Sequence, residues 1–164
     1  MMKMWGLVLL ATADVLLVHY LVERKKKTIR CLREMIGFSG GVTYGITEWK
    51  RTLEKAMMQE KHQGMFPKLF QEKLISYRTE LSLREAINKA LEELPLPYEA
   101  AELFSCYFAN LGKSTKKYTE EQFRHTKKRL EEMLQSLRED LPKTKKIISA
   151  GVYSISGMIA ILLL

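Results

Sequence analysis

Apolar residues fill both ends of the chain, and nearly all charged residues lie between these ends. Residues 4–22 contain one acid, Asp14, and one histidine, His19, whereas residues 147–164 contain no charged residue. A helix that crosses the hydrocarbon core of a bilayer needs about 20 apolar residues, and neither stretch has the polar face of a surface helix. The pattern therefore predicts a transmembrane helix at 4–22 and another at 147–164.

The middle of the chain, residues 23–146, has apolar residues at helical spacing and lacks runs of β-branched residues. This predicts an all-α fold, a bundle of about five to six helices between the two transmembrane helices. The first helix should continue from the membrane helix through the basic residues that follow it. Later helices are expected at about 48–61, 68–80, 82–94, 98–111 and 119–141.

Helix boundaries are marked by particular residues. The segment Tyr44–Thr47 follows several glycines, which predicts a close helix approach or a bend, then a helix end with Thr47 as the next N-cap. Ser82 and Glu85 have the spacing of a capping box, in which serine and glutamate each bond the other's backbone N–H. Pro142 is expected to break the last helix just before the second membrane span.

The chain carries 27 Lys and Arg against 19 Asp and Glu, a net charge of +8. Basic residues border both predicted spans on the side that faces the middle of the chain. These are Arg24, Lys25, Lys26, Lys27, Lys143, Lys145 and Lys146. Because basic residues favour the cytoplasmic side, the domain 23–146 is predicted to be cytoplasmic and both termini external. A basic cluster beside a membrane also fits contact with anionic lipid better than nucleic-acid binding.

Two features bear on the compartment. The segment Ala11–Ala13 resembles a signal-peptidase site, but the apolar run continues to Val22, which favours an uncleaved anchor. Cys31 and Cys106 are expected to be two buried thiols in a reducing compartment.

No pattern predicts catalysis, a cofactor or a metal. The segment Gly112–Ser114 lacks the earlier glycine and the preceding strand of a phosphate-binding loop. His62 and His125 have no partner at ligand spacing. The sequence therefore favours a protein that is not an enzyme and binds no cofactor, metal or nucleic acid.

Asp14 stands inside the first predicted span, where an ionisable group is costly and normally faces protein or a water-filled cavity. One hypothesis is that it contacts the second span, through residues such as Ser149 or Ser154, or another subunit of an oligomer. The alternative is a tolerated acid with no role.

The order of these features resembles the stage III sporulation protein AB family. The segment Tyr44–Thr47 is similar to that family's Tyr-Gly-x-Thr stretch, although Glu48-Trp49 stands where the family usually has Pro-Leu. The helix 82–93 resembles its Glu-Ala helix, and Leu111-Gly112 its Leu-Gly pair. The apolar end, 161–164, is similar to the family's terminus.

The resemblance implies a non-enzymatic membrane platform component of the channel that a mother cell builds towards its forespore. The family is similar to the F-type platform of type II secretion and type IV pilus machines. The implied partners are the secretion ATPase, stage III sporulation protein AA, and membrane channel subunits. The candidate partner-binding residues are Asp14, Tyr44, Gly45, Thr47 and Glu85. Two alternatives are a membrane-anchored helical scaffold unrelated to sporulation and a membrane enzyme with an unrecognised site.

Overall fold

The computed structural model describes residues 2–60, 63–111 and 115–163, with side chains described in 12–60, 63–111, 115–159 and 161. These residues form six helices and contain no strand, so the predicted all-α fold is confirmed. The helices are α1 (Met2–Thr47), α2 (Leu53–Gln59), α3 (Met65–Arg78), α4 (Leu83–Glu92), α5 (Tyr98–Asn110) and α6 (Lys116–Leu163).

The chain divides into two compact units. One unit is Thr28–Gln135, and the other consists of Met1–Lys27 and Ser136–Leu164. In the second unit the Lys25 Nζ donates a hydrogen bond to Thr144 Oγ1 at 3.3 Å, which joins its two segments. Within the described ranges, no helix has a stretch long and apolar enough to cross a membrane, so the structure does not show the two predicted spans.

The two longest helices, α1 and α6, confirm one prediction and contradict another. α1 continues without a break through the basic residues 24–27, as predicted. Pro142, in contrast, lies inside α6 and does not end it. Its ring is exposed, so water can bond the Arg138 carbonyl that the missing proline N–H leaves without a helical partner.

Aromatic side chains form the core of the unit 28–135. Phe66 and Phe70 of α3 stack with ring centroids 5.4 Å apart, and Phe38 of α1 meets both of them edge-on. Phe104 of α5 approaches the same pair from another side, at 5.7 Å from each. All four rings are almost completely buried, so α1, α3 and α5 share one core.

The start of α3 depends on a residue far away in the chain. Gly64 occupies the N-cap position and has no side chain to accept a backbone hydrogen bond. The Glu34 carboxylate of α1 accepts one from the Phe66 N–H at 2.8 Å and replaces the missing cap. A Cβ atom on Gly64 would overlap this carboxylate, so a larger residue there would displace Glu34 from the start of α3.

Helix α4 follows its local sequence closely. Ser82 and Glu85 form the predicted capping box. The apolar residues of the segment 82–94 recur at helical spacing, and five of them are buried: Ala86, Ile87, Ala90, Leu91 and Leu94. After the helix ends, the Glu93 carboxylate accepts hydrogen bonds from Lys73 and Tyr77, which ties α4 to α3.

Candidate functional site

The C-terminal end of α1 carries a row of hydroxyl side chains four residues apart. The Ser39 hydroxyl donates to the Ile36 carbonyl at 2.7 Å, and the Thr43 hydroxyl donates to the Ser39 carbonyl at 2.6 Å. The Thr47 hydroxyl donates to the Thr43 carbonyl at 3.0 Å. The predicted N-cap role of Thr47 is therefore wrong, because Thr47 remains in the last turn of α1 and bonds backwards along it.

The buried hydroxyl of Thr43 also joins α1 to α5. Its oxygen lies 2.7 Å from the Tyr107 hydroxyl. Since the Thr43 proton is donated to Ser39, the Tyr107 hydroxyl is the donor in this contact. Burial raises the pKa of Tyr107 to about 12, so the phenol stays neutral and keeps the hydrogen bond. This contact fixes the end of α1 against the core.

A tight turn follows α1, and the next helix therefore begins later in the chain than predicted. The Glu48 N–H donates to the Tyr44 carbonyl at 3.0 Å, and the Arg51 N–H donates to the Gly45 carbonyl at 3.2 Å. Lys50 has a φ of 48°, a left-handed conformation that is uncommon for residues other than glycine. Thr52 then caps α2, and its hydroxyl accepts from the Lys55 N–H at 3.4 Å. α2 therefore begins at Leu53, later than the predicted residue 48.

The turn presents two aromatic rings and a guanidinium group. Tyr44 and Trp49 meet edge to face, with ring centroids 5.3 Å apart and planes at 76°. The Arg51 guanidinium carbon lies 4.2 Å from the centre of the Trp49 ring. Tyr44 and Trp49 are 55% and 56% exposed. We name the surface formed by Tyr44, Trp49, Lys50 and Arg51 the aromatic turn.

Glycines beneath the aromatic turn allow close packing, as predicted. A Cβ atom on Gly45 would lie 3.4 Å from the Cβ of Ala56 in α2, and one on Gly40 would lie 3.4 Å from the Phe123 ring. At Gly41 an added Cβ would overlap the Glu60 carboxylate. Gly45 therefore supports the aromatic turn from below, and it is buried while its neighbour Tyr44 is exposed.

An ion pair connects the turn to the start of α6. The Lys116 Nζ lies 2.5 Å from a Glu48 carboxylate oxygen, and a second carboxylate, on Glu120, lies at 3.9 Å. The hydrogen bond to Glu48 raises the pKa of Lys116. Glu48 is therefore occupied within the unit and does not contribute a free negative charge to the aromatic turn.

The other predicted site residues lie apart from this surface. Glu85 is exposed in α4, where its carboxylate accepts hydrogen bonds from the Ser82 hydroxyl at 2.6 Å and the Ser82 N–H at 3.1 Å. These bonds, led by that from the hydroxyl, lower the pKa of Glu85. Capping is thus a structural role that accounts for Glu85 without any partner.

Asp14 is half-buried in α1, in the unit that contains residues 1–27 and 136–164. Two of its predicted partners are satisfied within their own helix. The Ser149 hydroxyl donates to the Lys146 carbonyl at 3.0 Å, and the Ser154 hydroxyl donates to the Ala150 carbonyl at 2.8 Å. Asp14 therefore stays a candidate for contact with another chain.

The predicted membrane-flanking basic residues all lie on helices of this same unit. Lys26 pairs with Glu23 at 2.7 Å, and Lys143 pairs with Asp140 at 3.6 Å. The Lys25 side chain contacts Thr144, as described above. Lys27, Lys145 and Lys146 are exposed.

The two cysteines differ, which corrects the prediction that both are buried. Cys31 is buried and burial raises its pKa to about 12, whereas Cys106 is exposed. Ala100, Phe104 and Tyr107 point one face of α5 into the core, and helical geometry turns Cys106 away from that face.

Cys106 and His125 both line a cleft of about 190 Å³ between α5 and α6. No side-chain hydrogen bond joins them among the residues described here, so the cleft does not present an assembled nucleophile and base. The same part of the chain has no group of three His, Cys, Asp or Glu side chains that could hold a metal ion. His62 and the segment 112–114 lie outside the described residues.

Comparison with known proteins decides the family. The model of the stage III sporulation protein AB family matches residues 3–164. The chain belongs to this family. Membership confirms the resemblance drawn from the sequence and gives the chain a sporulation-related role, which argues against a scaffold unrelated to sporulation. The stage III sporulation protein AB family is not a known family of enzymes. No curated protein and no solved structure matches the chain.

Three residues of the aromatic turn, Trp49, Lys50 and Arg51, are not among the residues predicted as functional. Trp49 was noted only because it replaces a residue usual in the stage III sporulation protein AB family. A usable signal is present, since Trp and Arg two positions apart, with a tyrosine five residues before the Trp, have the composition of a protein-binding surface. The turn between α1 and α2 is what brings them together, and its left-handed Lys50 is not evident from the sequence.

Proposed function

We propose that this protein is a non-enzymatic platform component of a secretion-like channel between mother cell and forespore. In this proposal it couples a cytoplasmic secretion ATPase, stage III sporulation protein AA, to membrane channel subunits. The observation that supports it most is the family match over residues 3–164, which covers nearly the whole chain. The aromatic turn supports it further, because a fixed surface of Trp, Tyr and Arg suits protein contact.

Part of the proposal is that the segments 4–22 and 147–164 lie in the membrane. Both end segments expose large apolar side chains to an extent unusual for protein in contact with water. These include Val15, Leu16, Tyr20, Ile147, Ile155, Met158 and Ile161. Lipid around these side chains would remove them from water, and the basic residues 24–27 and 143–146 would meet its headgroups.

The exposed Cys106 provides a test of the membrane orientation. An impermeant maleimide should label Cys106 only after the cell membrane is permeabilised, because the unit 28–135 is proposed to be cytoplasmic. Cys106→Ser is the control for specific labelling, since Cys31 is buried. Labelling of Cys106 in intact cells would contradict the proposed orientation.

The coupling itself is tested by co-purification. Detergent-solubilised protein should retain stage III sporulation protein AA on an affinity column, and a strain without the protein should fail to form spores. Failure of the intact protein to bind the ATPase, in detergent and in reconstituted vesicles, would overturn the coupling proposal.

Asp14 is proposed to contact another membrane subunit, either a second copy of this chain or a channel protein. Asp14→Leu should reduce the recovery of the membrane complex, and Asp14→Asn, which keeps a hydrogen-bonding side chain, should reduce it less. Unchanged recovery with Asp14→Leu would make Asp14 a tolerated acid with no role.

A further inference from the structure

The stretch 48–55 has three cations with no ion-pair partner in the described part of the chain. Its two acids are both occupied by cations from other helices. Glu48 is paired with Lys116 at 2.5 Å, and Glu54 is paired with Arg78 of α3 at 3.2 Å. Among the described residues, Lys50, Arg51 and Lys55 have no carboxylate partner, so the aromatic turn and the surface next to it are positive.

The two exposed rings next to these cations are held in one arrangement. The edge-to-face contact fixes Trp49 against Tyr44, and Arg51 covers one face of the indole. Gly45 beneath them packs closely on α2, since a Cβ atom there would lie 3.4 Å from the Ala56 Cβ. A partner would therefore meet a preorganised surface and would not have to order it on binding.

We propose that the aromatic turn binds an acidic segment of a partner protein, one that places an apolar side chain against Trp49 and carboxylates against Lys50 and Arg51. This inference rests on the proposed function, in which the partner is the secretion ATPase. Charge complementarity supports an acidic occupant, because both local acids are already neutralised. Trp, Tyr and Arg are also the residues most enriched at the energetic centres of protein interfaces.

A protein segment explains this arrangement better than anionic lipid does. Attraction to lipid headgroups needs only positive charge near a surface and no fixed orientation of side chains. Here the guanidinium is stacked on an indole and the indole is packed against a phenol, a geometry that selects a matching shape. Lipid binding by the aromatic turn is nevertheless distinguished in the experiment below.

The test measures binding of the detergent-solubilised, full-length protein to purified stage III sporulation protein AA. Trp49→Ala and Arg51→Glu should each weaken binding at least tenfold, and the affinity of the unaltered protein should fall as salt is raised. Tyr98→Ala and Lys68→Glu are matched controls. Tyr98 is 84% exposed and Lys68 is exposed in the first turn of α3, and neither control should weaken binding.

A second measurement does not require Trp49→Ala or Arg51→Glu to fold. The chain has two tryptophans, Trp5 and Trp49, so Trp5→Phe labelled with 5-fluorotryptophan gives one ¹⁹F signal from position 49. Addition of unlabelled ATPase should shift or broaden this signal.

Each outcome has one meaning. If the unaltered protein binds the ATPase but both variants bind equally well and the ¹⁹F signal is unchanged, the docking inference fails while the proposed function stands. If the unaltered protein does not bind at all, the proposed function fails and the inference fails with it. If Arg51→Glu instead removes binding to phosphatidylglycerol vesicles and leaves ATPase binding intact, the surface binds lipid and the inference is overturned.

Discussion

Large apolar side chains lie in opposite surroundings in the two units of the molecule. The first unit is 28–135, and the second consists of 1–27 and 136–164. In the first unit the rings of Phe38, Phe66, Phe70 and Phe104 are buried against one another. In the second unit Leu16 is 68% exposed and Ile161 is 74% exposed, although both lie in regular helices. Both units are helical, so the difference is not one of secondary structure.

The contrast shows that the two units obtain stability from different sources. The first unit removes its apolar side chains from water by packing them on each other, which is the usual source of folding free energy. The second unit leaves much of its apolar surface uncovered, so packing within it supplies less of that free energy. Substitutions matched between the units can test this difference.

The largest difference is expected for truncation of core rings. Phe70→Ala removes a fully buried ring and should lower the free energy of unfolding by about 3–5 kcal/mol. Leu16→Ala, at an exposed position, should change it by less than about 0.5 kcal/mol. Denaturant unfolding in detergent, followed by circular dichroism, measures both. Equal losses for the two variants would show that the units do not differ as described.

A pH titration tests whether water reaches the interior of the first unit at Tyr107. Tyr107 has a folded pKa of about 12 against an ordinary value of 10.0. Between these values the unfolded chain releases the phenol proton and the folded chain keeps it, so stability falls as pH rises from 10 to 12. The full loss, reached above pH 12, is roughly 3 kcal/mol for two pKa units.

Comparison with Tyr107→Phe isolates this effect from the titration of lysines. At neutral pH the variant should be about 1 kcal/mol less stable, because it loses the hydrogen bond to Thr43. Its deficit should shrink above pH 10 and reverse by about pH 11, where the unaltered protein has already lost roughly 1 kcal/mol. A constant deficit from pH 8 to 12 would mean that water reaches Tyr107.

Local signals in the sequence were enough to predict some elements but not others. α4 was predictable because its cap, Ser82 and Glu85, and its apolar stripe lie within thirteen consecutive residues, 82–94. The start of α3 was not, because its cap is Glu34, 32 residues earlier. The same holds for the candidate site: Tyr44 was marked by its sequence context, but the stacking of Arg51 on Trp49 depends on the conformation of Lys50.

The remote cap on α3 makes Glu34 a sensitive position in the first unit. Glu34→Ala should lower the free energy of unfolding by about 1–3 kcal/mol, because it leaves the partly buried Phe66 N–H without an acceptor. Glu34→Gln keeps an acceptor oxygen and should cost less. Glu102→Ala, at an exposed position of α5, is the control and should have little effect. A loss as small as that of the control would mean that water caps α3 equally well.

The smallest effects are expected at glycines, where the two units should respond differently to the same substitution. A Cβ atom on Gly157 of α6 would meet nothing within 4 Å, so Gly157→Ala should gain helix propensity and raise stability by up to about 1 kcal/mol. At Gly45 the added methyl group would lie 3.4 Å from the Ala56 Cβ, a close contact in a packed site, so the same gain should be smaller or cancelled. Thermal unfolding of the two variants measures the difference. Equal stabilisation by both would mean that the packing under the aromatic turn is loose, and a loss at Gly157 alone would mean that another chain covers that face of α6.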